Sequence, residues 1–173
     1  TVDGLGASRV VSRILNQEDV RLRPVTKEDF KLLWEWANDP VSRANSFESA
    51  TIPWEPHKAW CEAKLADSMC RFWMATDDRL GEIGCVRFEQ NNQQATISVS
   101  LSPHIRGKGY GKKLIASACH CLFQASGIDI IHALIKPANK ASIGAFERAG
   151  FQRGDDTIVK SQEARHYLLH RTS

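Results

Sequence analysis

The chain has no apolar run near the ~18 residues that a membrane-spanning helix needs, and no basic-then-apolar opening of the kind that directs secretion. The expectation is a soluble, cytoplasmic protein without a membrane partner. Cysteine pairing is also missing. The five cysteines (Cys61, Cys70, Cys85, Cys119 and Cys121) form no C-x-x-C pair, fall at no zinc-site spacing from a histidine and are odd in number, so they read as buried, reduced thiols with no metal. Charge of one sign is scarce: 23 Lys and Arg against 20 Asp and Glu leave a formal +3, dispersed along most of the chain, and nucleic acid is not implied. Repeats, low-complexity tracts and linkers are absent from residues 20–173, and 173 residues fit one domain with a sizeable core better than two. Nothing here points to a particular oligomeric state.

Cations gather in one place, at Arg106, Lys108, Lys112 and Lys113, and glycines gather with them. Arg106-Gly107-Lys108-Gly109-Tyr110-Gly111 lies between a strand-like run, Thr96 to Leu101, and a helix-like run, Lys112 to Ala125. Glycines let backbone N–H groups turn inward with no Cβ in the way, and a following helix aims its unpaired N–H groups and positive dipole end at the same point. Cations at a helix start oppose that dipole, so an anionic ligand such as a phosphate or pyrophosphate explains the cluster better than solvation does. Two familiar phosphate loops are excluded by spacing. The mononucleotide loop needs a Gly five residues before Gly111, where Arg106 stands, and Ser or Thr after Lys112, where Lys113 stands. The dinucleotide fingerprint needs G-x-G-x-x-G and an acidic residue closing the next strand, but the pattern here is G-x-G-x-G and Asp129 precedes its strand.

Around this loop the pattern predicts an α/β domain. Val20 to Pro24 reads as a strand, and Thr26 caps a helix with Asp29 three residues on and Phe30, Leu33 and Trp34 as its apolar face, stopping at Asn38-Asp39-Pro40. A second helix runs from about Trp54 to Leu65, with His57, Trp60, Cys61 and Leu65 at helical spacing; Trp34 and Trp60 are assigned to the core on that spacing. Cys70 to Thr76, Gly81 to Glu89 and Gln94 to Leu101 alternate as antiparallel strands, joined by turns at Asp77-Asp78-Arg79 and Gln90-Asn91-Asn92. Gly127 follows the loop helix as a left-handed C′ residue, and Ile128 to Ile135 suits a strand buried on both faces. Asn139 and Ser142 open a short helix ending at Gly150, and Ala164 to Arg171 forms the last strand. A helical crossover makes the strand ending at Leu101 and the strand from Ile130 to Ile135 parallel neighbours, giving a mixed, mostly antiparallel sheet flanked by helices.

The loop, followed by Asn139-Lys-Ala-Ser142-Ile143-Gly-Ala-Phe146-Glu-Arg-Ala-Gly150-Phe151, resembles the Gcn5-related N-acetyltransferases (GNAT), and the resemblance covers Arg21 to Phe151. It implies the acyl-CoA N-acyltransferase fold, with acetyl-CoA as co-substrate and a small-molecule amine as acceptor. It also implies that the backbone of Arg106, Gly107, Lys108, Gly109, Tyr110 and Gly111, with Lys112, holds the pyrophosphate. The pantetheine arm then runs like an extra strand between the two splayed strands, pairing near Val99 and Leu101, with the Leu101 N–H facing the thioester carbonyl. Asn139 and Ser142 bind the arm's amides, although Asn139 is equally well explained as a helix cap. Many relatives have a Glu on the strand before the loop and a Tyr in the later helix. Here that strand offers Gln93, Gln94, Thr96, Ser98 and Ser100, and the Tyr position is Phe146. Glu82, His132 or water could move the proton, though a His in an apolar strand is more often a bonded core residue.

The segment Trp36-Ala-Asn38-Asp39-Pro40-x-x-Arg43-x-Asn45-Ser46-Phe47, with Ile52 and His57-x-x-Trp60, is similar to the branch of this family that acetylates nucleotide-linked amino-deoxy sugars in pseudaminic-acid type pathways. On that likeness Asn38, Asp39 and Arg43 line the acceptor site, with Arg43 clamping a diphosphate and Trp54 or Trp73 stacking on base or sugar unless they are core. Ribosomal-protein N-terminal acetyltransferases share the Asn-Asp-Pro segment and the His-x-x-Trp, so a protein terminus is the alternative acceptor; a non-catalytic sensor of CoA thioesters is the other. Residues 1–19 precede the acetyltransferase domain at 20–173. Val2 to Val11 is similar to the closing segment of glycosyltransferase-like hydrolases acting on nucleotide sugars, so an excerpt from a fusion is expected; Ser8 to Leu15 reads otherwise as an amphipathic helix.

Overall fold

Tight turns and one helical crossover arrange the sheet. The computed structural model describes residues 20–173, so the expected amphipathic helix and the hydrolase-like match lie outside the described residues. Strands β1 (Arg21–Pro24), β2 (Cys70–Asp77), β3 (Gly81–Asn91) and β4 (Gln94–Leu101) follow one another antiparallel. Helix α4 (Tyr110–Ala125) then crosses over, so β5 (Ile130–Ile135) pairs parallel with β4. The order is β1-β2-β3-β4-β5-β8-β6, where β6 is Gln152–Arg153 and β8 is Gln162–His170, and β7 (Thr157–Val159) pairs with β8 off this path. The remaining helices are α1 (Phe30–Ala37), α2 (Pro40–Asn45), α3 (Trp54–Ala66) and α5 (Lys140–Arg148). No helix among the described residues is long and apolar enough to cross a membrane.

The parallel pair is brief. Only Gln94↔Ile130, Ala95↔Ile131 and Thr96↔His132 are in register. Beyond Thr96 the strands part, yet β4 keeps its ladder with β3 as far as Leu101 and β5 keeps its ladder with β8 as far as Ile135. Each lip of the splay is therefore held from outside. Alternation along the strands makes two cores. Val86, Phe88, Ile97, Ile131, Ala133 and Tyr167 face α4 and α5, where Leu114, Ile115, Leu122, Ile143 and Phe146 complete the larger one. On the other face Phe72 and Met74 pack with Phe30, Leu33, Trp36 and Cys61 under α1 and α3. The buried members of that second core include none from β4, β5 or β8. Thr96, Ser98 and Ser100, on the same face, are polar.

Several local expectations are corrected. Asn38-Asp39-Pro40 ends α1 but also starts α2, because Asp39 caps it, accepting from the Ser42 N–H at 3.2 Å, and Pro40 occupies a first-turn position that needs no N–H donor. Trp36, not Trp34, is the buried tryptophan of α1; the Trp34 indole N–H donates to Ile52 O at 2.8 Å. Trp60 is 38% exposed, since the buried stripe of α3 is only His57 and Cys61, and its ring carries the Arg87 guanidinium 4.8 Å above it. Gly127 is not left-handed, as the extended Ser126 ends α4. Strand β5 is shorter than expected and alternates, with Ile131, Ala133 and Ile135 buried and His132 half-buried, so only one face is deep. Cys121 is exposed, unlike Cys61 and Cys119, whose burial pushes their thiols up to about 11 and about 12.

The entry to α1 is fixed by charge. Asp29 accepts from Arg23 Nη1 at 2.7 Å, Arg23 Nη2 at 2.8 Å and the Thr26 N–H at 2.8 Å. The Arg23 hydrogen bond, followed by the Thr26 N–H, holds its carboxyl below the usual range despite burial. A depressed folded value means that this stabilisation is complete above the unfolded pKa of ~3.9 and is lost as pH falls through the lower folded value. Asp29→Asn lowers stability by about 2 kcal/mol at pH 7, the pair being screened on its Arg23 side. In urea unfolding at pH 7 and pH 3 the difference from wild type shrinks at the lower pH; a difference independent of pH contradicts the assignment.

Candidate functional site

Three glycines after β4 have three different surroundings. Gly107 (φ +75°) and Gly109 (φ +83°) take left-handed backbone, and a Cβ at either would meet nothing within 4 Å. That open space lies at the start of α4, where the first N–H groups have no partner within the helix. Gly111 is different, because a Cβ there would come 3.3 Å from the Ala145 Cβ and 3.6 Å from Leu101 Cδ1. Its role is close packing of α4 against α5 and the end of β4. The Tyr110 hydroxyl points away to Asp77 Oδ2 at 3.4 Å. The Arg106 side chain turns away from the loop, since Nη1 donates to Asp39 Oδ2 at 2.7 Å and Nη2 to Ser42 Oγ at 2.9 Å, which corrects its expected place among phosphate-facing cations.

Below the cradle, Val99 and Leu101 lie in the part of β4 that has no β5 partner, so one backbone edge faces the gap. Across it, Asn139 opens α5 beyond the end of β5. Its Oδ1 accepts from the Ser142 N–H at 3.2 Å, and its Nδ2 has no partner among the described residues. The cap is made and a donor is left over. Phe146 is 4% exposed and packs edge-on to Phe151 at 5.0 Å, so it is a core residue with no group to move a proton.

Residues 38–52 cross the splay as a strap. On the β4 side Arg106 holds Asp39 and Ser42; on the β5 and β8 side Lys136 Nζ donates to Ala44 O at 3.0 Å, Gln162 Nε2 donates to Phe47 O at 2.7 Å and Lys160 pairs with Glu48. Asn38 closes the strap on itself, accepting from the Ile52 N–H at 2.8 Å and donating to Ile52 O at 2.9 Å. Arg43 does the same work, with Nε on Ala37 O at 2.5 Å and Nη1 on Glu48 O at 2.7 Å and Ala50 O at 3.3 Å. The expected diphosphate clamp is therefore a clamp on backbone carbonyls. The hydrogen bond from Arg106 is the main cause that keeps the Asp39 carboxyl below its usual range.

Trp54 and Trp73 are half-buried and pack against the two cores. Trp54 packs edge-on to Trp34 at 5.6 Å, and Trp73, opposite Val86, packs edge-on to Phe88 at 5.7 Å on the face under α4 and α5. The two proton-transfer candidates are not brought together. Glu82 lies beyond the Gly84↔Leu101 pair and His132 lies at Thr96, on the order of 20 Å apart at ~3.3 Å per strand residue. Glu82 is 3.8 Å from Arg23 and lines a cavity of about 660 Å³ beneath α1 with Glu35, Trp36, Asn38, Asp39 and Lys108. His132 has both ring nitrogens engaged, Nδ1 with His166 Nε2 at 2.7 Å and Nε2 with Gln94 Oε1 at 2.5 Å. Burial, then the neighbouring His166 and His170, keep it below its usual pKa. It is a bonded residue. Sequence reasoning missed Lys136, Lys160 and Gln162, whose strap partners stand far away in the chain.

The architecture is shared with solved structures. Aminoglycoside acetyltransferase AAC(6')-Ib in complex with ribostamycin and coenzyme A superposes with a TM-score of 0.79 at 21% identity, covering 89% of this chain and 94% of that one. Spermidine N-acetyltransferase from Vibrio cholerae in complex with CoA and spermine gives 0.79 at 17% identity, covering 88% and 95%. A domain from Methanocaldococcus jannaschii gives 0.77 at 21% identity, covering 88% and 98%. No curated protein matches the chain. The family model described as acetyltransferase (GNAT) domain matches residues 19–152, most of the chain, and with the glycine cradle set above a splayed sheet it establishes that the chain belongs to the GNAT acetyltransferase family.

Proposed function

We propose that the protein acetylates the amino group of a nucleotide-linked amino-deoxy sugar, with acetyl-CoA as donor. The observation that carries the cofactor is the open space over Gly107 and Gly109 at the start of α4, immediately above the parted ends of β4 and β5. Residues present there fit the group: loop N–H groups, Lys108 and Lys112 for the pyrophosphate, the free edge of β4 at Val99 and Leu101 for the arm, and the Asn139 amide for its carbonyls. Bound there, acetyl-CoA supplies a thioester carbonyl open to nucleophiles. The Leu101 N–H is the proposed donor to that carbonyl oxygen as charge develops on it. The acceptor nitrogen attacks the carbonyl carbon from the strap face, the C–S bond breaks, and the thiolate departs. With no Glu on β4, Phe146 in the phenol position and His132 engaged, the amine must arrive neutral and its proton passes to water. A sugar amine beside electron-withdrawing oxygens has a lowered pKa and meets that requirement.

Charge on the strap supports an anionic carrier. Its carboxylates Asp39 and Glu48 are matched by Arg106 and Lys160, while Lys136 adds a cation over the Phe47 ring at 6.0 Å. Ribostamycin and spermine, the molecules in two similar structures, are polycations. One observation favours that second class, the Glu35 and Glu82 carboxylates in the cavity beneath α1. Thiol release from acetyl-CoA over a panel of a UDP-linked amino sugar, a peptide amine and spermidine separates the readings: the sugar is expected to be turned over best. Efficient peptide or spermidine acetylation with inert sugars contradicts the substrate assignment, and binding without turnover of any amine makes the domain a sensor.

The cofactor assignment has its own test. Gly109→Val puts a branched side chain into the cradle at a left-handed position and weakens acetyl-CoA by at least about tenfold in calorimetry, whereas Lys108→Ala costs less because backbone donors remain. Unchanged affinity in a folded Gly109→Val variant places the pyrophosphate elsewhere.

A further inference from the structure

Arg106 opens the glycine loop, yet its guanidinium faces the strap. The two hydrogen bonds to Asp39 Oδ2 and Ser42 Oγ join segments 67 and 64 residues apart. Asp39 is 17% exposed and already caps α2 through the Ser42 N–H, so turning Arg106 toward a phosphate would leave a half-buried carboxylate without its cation. The loop can do without that side chain, since the unpaired backbone N–H groups at the start of α4 supply donors. The strap's other ties, from Lys136, Lys160 and Gln162, come from the far lip. Arg106 is thus the side chain by which the loop itself grips the strap.

We infer that Arg106 is a positioning residue for the acceptor wall, and that through it acetyl-CoA bound on the loop raises the affinity for the acceptor. This rests on the proposed cofactor site and deepens it. A ligand that immobilises residues 106–111 immobilises the anchor of Arg106, which holds α2 and the strap over the open face of the splay. By linkage the acceptor raises acetyl-CoA affinity by the same factor.

The test uses Arg106→Gln, Asp39→Asn and the milder Ser42→Ala, each checked for folding by thermal unfolding. Three readouts are needed: acetyl-CoA Kd by calorimetry without acceptor, KM and kcat for the best amine of the panel, and amide hydrogen exchange of residues 38–52 with and without acetyl-CoA. In wild type, acetyl-CoA slows exchange across the strap. In Arg106→Gln and Asp39→Asn the Kd stays within about threefold, KM rises at least about tenfold with a smaller change in kcat, and the strap no longer responds to acetyl-CoA. Ser42→Ala shifts KM in the same direction by less. A Kd that rises with KM unchanged makes Arg106 a phosphate ligand and overturns the inference, as does a parallel loss of both. If no amine is turned over, the substrate reading fails and exchange decides alone: a strap that ignores acetyl-CoA in wild type, or still responds to it in both Arg106→Gln and Asp39→Asn, refutes the coupling.

Discussion

The parting of β4 from β5 after Thr96↔His132 is the constraint on which the rest of the structure depends. A parallel pair left open at its end exposes backbone donors and acceptors on two facing edges, a state that a sheet ordinarily removes by pairing or covering. Each lip is laddered on its other side, β4 to β3 and β5 to β8, so only the inner edges are open. Beyond Thr96↔His132 the facing edges of β4 and β5 are therefore left unpaired with each other. Helix α4 starts above one lip and α5 above the other, so the glycine loop and the Asn139 amide stand over the same opening.

The open face of the gap is closed in part by charge and hydrogen bonding, with little apolar packing. The strap at residues 38–52 has no buried apolar residue in its helix α2, and Val41 there is 51% exposed. It is held by Arg43 and Asn38 within itself, by Arg106 from one lip, and by Lys136, Lys160 and Gln162 from the other. Such ties are individually modest and partly screened at the surface. A wall made this way can respond to what binds beneath it, whereas the two apolar cores hold the sheet and helices fixed.

What was legible in the sequence was local. The glycine loop between strand and helix, the Thr26 and Asp29 cap, the meander turns and the Asn139 cap all depend on spacings of a few residues, and all are present in the structure. The crossover fixed the parallel neighbours by the same logic. Partners were not legible: Arg106 with Asp39, Lys136 with Ala44 and Gln162 with Phe47 are separated by 67, 92 and 115 residues, and a sequence shows a charge without showing what it faces. Arg43 was misread for this reason, a forked donor beside a polar turn whose acceptors proved to be the carbonyls of Ala37, Glu48 and Ala50. Trp60 was misread by helical spacing, because only a narrow stripe of α3 is buried and Arg87 covers its ring instead. His132, read both as a proton-transfer candidate and as a bonded residue, has both ring nitrogens engaged, by His166 and Gln94, the second of them 38 residues away.

The central claim is that the glycine loop and the splay form one cleft for acetyl-CoA. The most direct measurement is a titration of backbone amide resonances with coenzyme A. The account predicts saturable shifts at Arg106–Gly111, the lips at residues 98–101 and 133–135, and the start of α5 at Asn139, with smaller ones in the strap tied to Arg106 at Asp39 and Ser42. Shifts that spare the loop and fall instead on Glu35, Glu82 and the cavity beneath α1 would contradict it.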